Sequence, residues 1–137
     1  TFCYVVVDLA AGYVSYANAG HNPPLMIRAN GNIDHLETTG LVLGVSPDWT
    51  YTTGRSPFGP GDRLVCFTDG MSEARSPADI EFGEDQLATL AASTTAGSAE
   101  RLADALTEAV IAWTGGAAQD DATLIIVERA PSSERPL

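Results

Sequence analysis

Three aspartates carry the clearest chemical signal in this sequence. Asp69 ends the apolar segment 63–68, and Asp120 and Asp121 directly precede the apolar segment 122–127. If these segments are neighbouring antiparallel strands, the exit of one and the entrance of the other meet at the same end of the sheet. Carboxylates that converge there without a Lys or Arg partner in sequence repel one another. A divalent cation relieves that repulsion, and all-oxygen ligation selects Mg²⁺ or Mn²⁺ over zinc or copper.

A simpler interpretation competes with the metal site. Taken alone, Asp69-Gly70 is more typical of a turn, and Asp120-Asp121 is more typical of a solvated loop. Their joint position at the ends of the two most apolar segments makes the metal interpretation about as well supported as this simpler one. Gly70, which follows Asp69, allows the backbone to turn sharply after Asp69 or to approach a ligand closely.

Two other residues could take part in chemistry. His21 lies in a loop rich in Gly, Asn and Pro, where it could act as a general acid near a phosphate or bond to the backbone. The structural role is favoured, because no partner pattern accompanies it. Glu73 could support a metal ligand or belong to a short helix, and the helix is favoured. The sequence offers no Walker-type phosphate loop and no convincing Ser/His/Asp or Cys/His set.

Strand and helix signals follow one another in a simple order. Alternating and β-branched residues predict strands at 2–9, 13–17, 25–28, 33–36, 49–53, 63–68 and 122–127. Helical spacing predicts helices at 84–92 and from the N-cap Ser98 to Gly115. The apolar segment 40–45 is predicted to be a buried connection. These elements predict an α+β sandwich, with the strands at 64–67 and 124–127 in the middle and covered on both faces.

Composition limits the class of protein. The chain has 137 residues, 45% of them apolar, which suits one domain; residues 1–128 are expected to form it and 129–137 a tail or linker. The net charge of −11 disfavours nucleic acid as a partner. No apolar run approaches the length needed to span a membrane. Cys3 and Cys66 lie in apolar runs, so buried reduced thiols and a cytoplasmic location are expected.

Six motifs occur in a fixed order along the chain. They are residues 18–25 (NAGHNPPL), 43–45 (LGV), 60–64 (PGDRL), 67–74 (FTDGMSEA), 82–83 (FG) and 119–124 (QDDATL). Together they resemble a known family, the SpoIIE-type branch of the bacterial PPM protein phosphatases. Each motif is modest alone, but their order across nearly the whole chain makes the resemblance specific.

The resemblance implies a fold, an activity and specific site residues. The fold is a pair of antiparallel sheets flanked by helices, and the activity is hydrolysis of phosphoserine or phosphothreonine on proteins by water activated by two Mn²⁺ or Mg²⁺ ions. Asp69 and Asp120 match metal ligands of the family. Asp121 ranks second, because eukaryotic relatives carry Asn at that position, and His21 receives no catalytic role. The implied substrate is a phosphorylated anti-sigma-factor antagonist.

One departure from the family pattern affects the expected activity. The family places a further metal-bridging aspartate in a Gly/His-rich segment before the region seen here, and these 137 residues contain no such segment. The chain is therefore expected to be the C-terminal part of a catalytic domain, inactive alone, with an apolar face that dimerisation could cover. The alternative is a catalytically inactive, phosphatase-like interaction module. A phosphoacceptor signalling domain is disfavoured, because the sequence has no lysine.

Overall fold

The computed structural model describes residues 1–94, 97–116 and 121–131. Within them, strands and helices follow the predicted order closely. The strands are β1 (Phe2–Asp8), β2 (Tyr13–Ala19), β3 (Leu25–Ile27), β4 (Ile33–His35), β5 (Gly54–Pro57), β6 (Arg63–Phe67) and β7 (Leu124–Glu128). The helices are α1 (Asp69–Ser72), α2 (Glu84–Ser93) and α3 (Ala99–Trp113).

The strands form two antiparallel sheets. The first sheet has the order β1-β2-β5, and the second has the order β4-β3-β6-β7. In the second sheet β6 pairs with β3 on one side, where Leu25 faces Val65, and with β7 on the other, where Phe67 faces Leu124. Strand β6 therefore occupies the interior of the sheet, as its apolar sequence predicts.

Two hydrophobic cores hold three layers together. Between the sheets lies a core of Val14, Met26, Leu36, Phe58 and Leu64. On the other face of the second sheet, α2 and α3 pack through a larger core that includes Val65, Phe67, Leu87, Leu102 and Leu106. The stripe predicted for α3 is the buried one, and the Ser98 hydroxyl accepts a hydrogen bond from the Arg101 amide at its start. The α+β class with two antiparallel sheets is confirmed.

The outer face of the first sheet is bare in the part of the chain described. Phe2, Tyr4 and Val6 alternate along β1 and are each about half exposed. This is the apolar face expected from the sequence, and its covering by dimerisation stays a prediction.

Three local predictions are wrong. Segment 40–45 is not buried: Gly40 forms a bridge to Ala19 and Val42 lies against Gly20, but the apolar side chains after Gly40 are exposed, Leu43 and Val45 most of all. Segment 49–53 forms no strand; pairing with β2 begins at Gly54 instead. Strand β7 has a neighbour on one side only among the described residues, and Ile125 is 58% exposed there.

A buried carboxylate fixes the end of the second sheet where β6 begins. Asp62 is 7% exposed and accepts hydrogen bonds from the Arg28 guanidinium at 3.0 Å, the Ala29 amide at 3.0 Å and the Gly59 amide at 2.9 Å. Arg129, the first residue of the predicted tail, is still bonded to this turn. Its carbonyl accepts the Gly61 amide at 2.7 Å, and its amide donates to the Asp62 carbonyl at 3.0 Å. No helix in the described ranges has the length and apolar character that crossing a membrane requires.

Candidate metal-binding site

The predicted antiparallel pairing of β6 with β7 brings the acidic segments to one edge. Beyond the last strand pair, the Thr68 amide donates to the Thr123 carbonyl at 3.1 Å, and the Thr123 amide donates to the Thr68 hydroxyl at 2.9 Å. The two chains therefore stay together for one residue past the strands. Asp69 follows directly on one side, and Asp121 lies two residues before Thr123 on the other.

Gly70 makes the closest approach between these two segments. A Cβ atom placed on Gly70 would lie 2.4 Å from the carbonyl oxygen of Asp121 and 3.1 Å from Cα of Ala122. Because both neighbours are backbone atoms, only a residue without a side chain fits. Gly70 therefore allows a close approach, as the sequence suggested, but the group that approaches it is the backbone of Asp121 and not a ligand.

Asp69 is exposed at the first position of helix α1. Its carboxylate accepts a hydrogen bond from the Gly70 amide at 3.0 Å. Glu73 follows the helix as its C-terminal cap and donates its amide to the Asp69 carbonyl at 2.7 Å. This agrees with the helical interpretation of Glu73.

The donor chemistry at this edge fits a hard divalent cation. Asp69 and Asp121 offer carboxylate oxygens from segments whose backbones touch, and Mg²⁺ and Mn²⁺ prefer such ligands. Asp120, the second predicted ligand, lies outside the described residues. Among those described, no three His, Cys, Asp or Glu side chains are grouped so that they could hold a metal ion.

The loop that contains His21 reaches the same edge, because it leads into β3 beside the end of β6. Asn18 fixes its shape: the buried Asn18 side chain accepts from the His21 amide at 2.8 Å and donates to the His21 carbonyl at 3.0 Å. The His21 ring contacts the Thr1 hydroxyl at 3.2 Å through Nδ1. These contacts explain the loop conformation and leave the role of His21 a prediction.

Sequence reasoning gave no role to Thr68, which joins the two acidic segments at this edge. Asn18 lies in the motif 18–25 that the sequence analysis singled out. The Thr39 hydroxyl holds Asn18 in place, because it accepts a hydrogen bond from the Asn18 backbone amide at 2.9 Å. Asn22 connects the same loop to α2, because its side-chain amide donates a hydrogen bond to the Glu84 carboxylate at 2.9 Å. The signal for Thr68 was its place directly after strand β6 and before Asp69, where a polar side chain can replace a lost strand contact.

Cys66 lies behind the edge, on the face of β6 that packs against the first sheet. Burial raises the pKa of its thiol to about 11, with a smaller contribution from Cys3. Both cysteines are free, as predicted, but each is only partly buried. Burial thus favours the protonated thiol at neutral pH, and the thiol is a weaker nucleophile than the thiolate.

Comparison with known proteins identifies relatives over nearly the whole chain. Residues 1–130 match the family model described as Stage II sporulation protein E (SpoIIE). The protein IcfG of Synechocystis sp. is 35% identical over 131 residues, which are 94% of this chain and 20% of IcfG. The phosphoserine phosphatase RsbU of Bacillus subtilis is 29% identical over 130 residues, which are 94% of this chain and 38% of RsbU.

A solved structure confirms the fold. The phosphatase domain of the cell-fate determinant SpoIIE from Bacillus subtilis, in a crystal presoaked with Mn, superposes with a TM-score of 0.77 at 18% identity. The match covers 99% of this chain and 59% of that one. The chain thus spans well under half of these two relatives' length and about three fifths of the solved domain.

Proposed function

Since this chain belongs to the SpoIIE-type branch of the PPM protein phosphatases, we propose that the complete protein hydrolyses phosphoserine or phosphothreonine on a regulatory protein. The observation that carries the proposal is the close approach of the backbone next to Asp69 to the backbone of Asp121. There the paired ends of β6 and β7, joined by the Thr68 and Thr123 hydrogen bonds, set two carboxylate-bearing segments side by side.

The three aspartates and Gly70 each have a proposed task. Asp69 and Asp120 hold the divalent cations, Asp121 supports them, and Gly70 allows the two segments to touch. Two Mn²⁺ or Mg²⁺ ions, when bound, would supply the Lewis acidity that lowers the pKa of water and offsets the charge of the phosphate. The aspartates act as ligands and not as nucleophiles. No phosphoryl group should therefore become attached to Asp69 during turnover.

The proposed substrate is a phosphorylated anti-sigma-factor antagonist, dephosphorylated in the cytoplasm. The relatives support the phosphoserine part of this proposal, because RsbU and RsbP of Bacillus subtilis both bear the name phosphoserine phosphatase. A protein substrate also suits the position of the carboxylates, because Asp69 and Asp121 are exposed at the edge of the sandwich and a phosphoserine on a folded protein can reach them.

The test is Mn²⁺-dependent hydrolysis of para-nitrophenyl phosphate, comparing the 137-residue chain, the complete protein and its Asp69→Ala variant. Asp104→Ala is the matched control, because it removes an exposed carboxylate from α3, away from the metal edge. We expect turnover by the complete protein and by Asp104→Ala, and none by Asp69→Ala. Near-full activity of Asp69→Ala would refute the ligand assignment.

A measurement of Mn²⁺ binding beside the hydrolysis assay decides the alternative. If the complete protein binds no Mn²⁺ and stays inactive across the pH range, the domain is an interaction module that has kept the phosphatase fold.

A further inference from the structure

Thr68 occupies an unusual position between the end of a strand and the start of a helix. Its carbonyl accepts the Met71 amide at 2.9 Å, which begins helix α1. That carbonyl has turned into α1, and it is not the group that accepts the Thr123 amide of the segment leading into β7. The Thr68 hydroxyl takes its place and accepts the Thr123 amide at 2.9 Å, while the Thr68 amide donates to the Thr123 carbonyl at 3.1 Å. One residue thus ends the strand, starts the helix and keeps β7 attached.

The consequence concerns the spacing of the acidic segments. Asp69 is the next residue after Thr68, and Asp121 lies two residues before Thr123. Beside this hydroxyl contact, the segments are joined at this point by the backbone hydrogen bond from the Thr68 amide to the Thr123 carbonyl and by the close approach of Gly70 to the Asp121 carbonyl. The side chain of Thr68 therefore restrains the segment that leads into β7 on the side where the carboxylates lie.

We propose that Thr68 is a positioning residue of the phosphatase site, whose hydroxyl holds the Thr123 amide and so fixes the spacing of the carboxylates for the divalent cation. The inference rests on the proposed function. Groups that orient metal ligands without touching the metal typically change metal affinity about 10- to 100-fold when they are removed. Thr68 acts in this way on the backbone that carries the ligands.

Because Thr123 is exposed, a role of Thr68 in metal binding can be distinguished from a role in stability alone. Water can hydrogen-bond to the Thr123 amide when the Thr68 hydroxyl is removed, so the fold should tolerate the loss. Water cannot restore a fixed distance between the segments. A Thr68→Val variant of the complete protein should therefore stay folded and lose metal affinity.

The experiment is a Mn²⁺ titration, followed by electron paramagnetic resonance, of the complete protein and three variants. Thr68→Val should weaken Mn²⁺ binding about 10-fold, and Thr68→Ser should restore binding because it restores the hydroxyl. Thr114→Val is the matched control: it removes a hydroxyl that donates to the Ile111 carbonyl at 3.0 Å at the end of α3. This control should bind Mn²⁺ as the wild type does.

Hydrogen exchange at the Thr123 amide supplies a second readout, and exchange should be faster in Thr68→Val than in Thr68→Ser. Unchanged Mn²⁺ affinity in Thr68→Val would overturn the inference and leave the phosphatase proposal intact. An equal loss in Thr114→Val would overturn it as well, because the effect would then be general. Absence of Mn²⁺ binding by the wild type would overturn both.

Discussion

Replacing Gly70 with alanine tests how tightly the two acidic segments must approach. The new Cβ would lie 2.4 Å from the Asp121 carbonyl oxygen, about 1 Å inside the 3.4 Å at which ordinary contact begins. Since the obstructing atoms belong to the backbone, no side-chain rotation relieves the overlap, and the two segments must separate. Overpacking of this kind costs about 1–3 kcal/mol, and each 1 kcal/mol lowers Tm by roughly 4 °C in a domain of this size.

The effect on catalysis should exceed the effect on stability. A displacement of about 1 Å at a positioned site can cost roughly 100-fold in rate. We therefore expect Gly70→Ala in the complete protein to remain folded at 25 °C and to hydrolyse para-nitrophenyl phosphate about 100 times more slowly than wild type. Calorimetry and initial rates at saturating Mn²⁺ measure the two quantities.

Gly59→Ala is the control for this substitution. A Cβ at Gly59 meets the Asp62 carboxylate at 3.6 Å, an ordinary contact, and Gly59 has no positive φ. Its free energy of unfolding should therefore stay within about 1 kcal/mol of wild type, with unchanged activity. If Gly70→Ala behaved like Gly59→Ala in both assays, the close approach of the segments would not matter for the site.

Three further predictions concern other parts of the fold. Asp62→Asn weakens a buried, charge-assisted contact with Arg28, so urea unfolding should show a loss of about 2 kcal/mol. Cys66 should resist iodoacetamide at pH 8 in the folded protein and react after denaturation, because burial raises its pKa from 9.0 to about 11. For the same reason, the contribution of Cys66 to the free energy of unfolding is present below pH 9 and is lost as the pH rises toward 11. Asn18→Ala should speed hydrogen exchange at the His21 amide and cost about 2 kcal/mol; unchanged exchange would contradict the role assigned to Asn18.

The sequence predicted those parts of the fold in which a local pattern and burial agree. Strand β6 is apolar on both faces and bounded by turn residues, and helix α3 has an N-cap, an apolar stripe and a glycine pair after it. Each of these signals is local, so each can be recognised without knowing the tertiary contacts.

The failures came where burial depends on what lies opposite. Segment 40–45 is as apolar as a core segment, yet Leu43 and Val45 are exposed, because no described element packs over them. Strand β7 looked central for the same reason: its sequence is apolar on both faces, but its place in the sheet is decided by pairing and not by composition.

The candidate site was predictable in part. The position of Asp69 at a strand exit, opposite the entrance to the last strand, followed from two apolar segments and the assumption of antiparallel pairing, which the register of β6 with β7 bears out. The hydrogen bond between the Thr68 hydroxyl and the Thr123 amide could not be predicted from the sequence. It forms because the Thr68 carbonyl turns into α1 and leaves the hydroxyl as the acceptor for that amide.

The most direct test of the proposed metal site is anomalous diffraction from a crystal of the complete protein grown with Mn²⁺. We expect an anomalous peak at coordination distance from the Asp69 carboxylate, at the edge where β6 and β7 end. Catalytically active protein whose crystals show Mn²⁺ bound only elsewhere, with none at Asp69, would contradict the assignment of this edge as the phosphatase site.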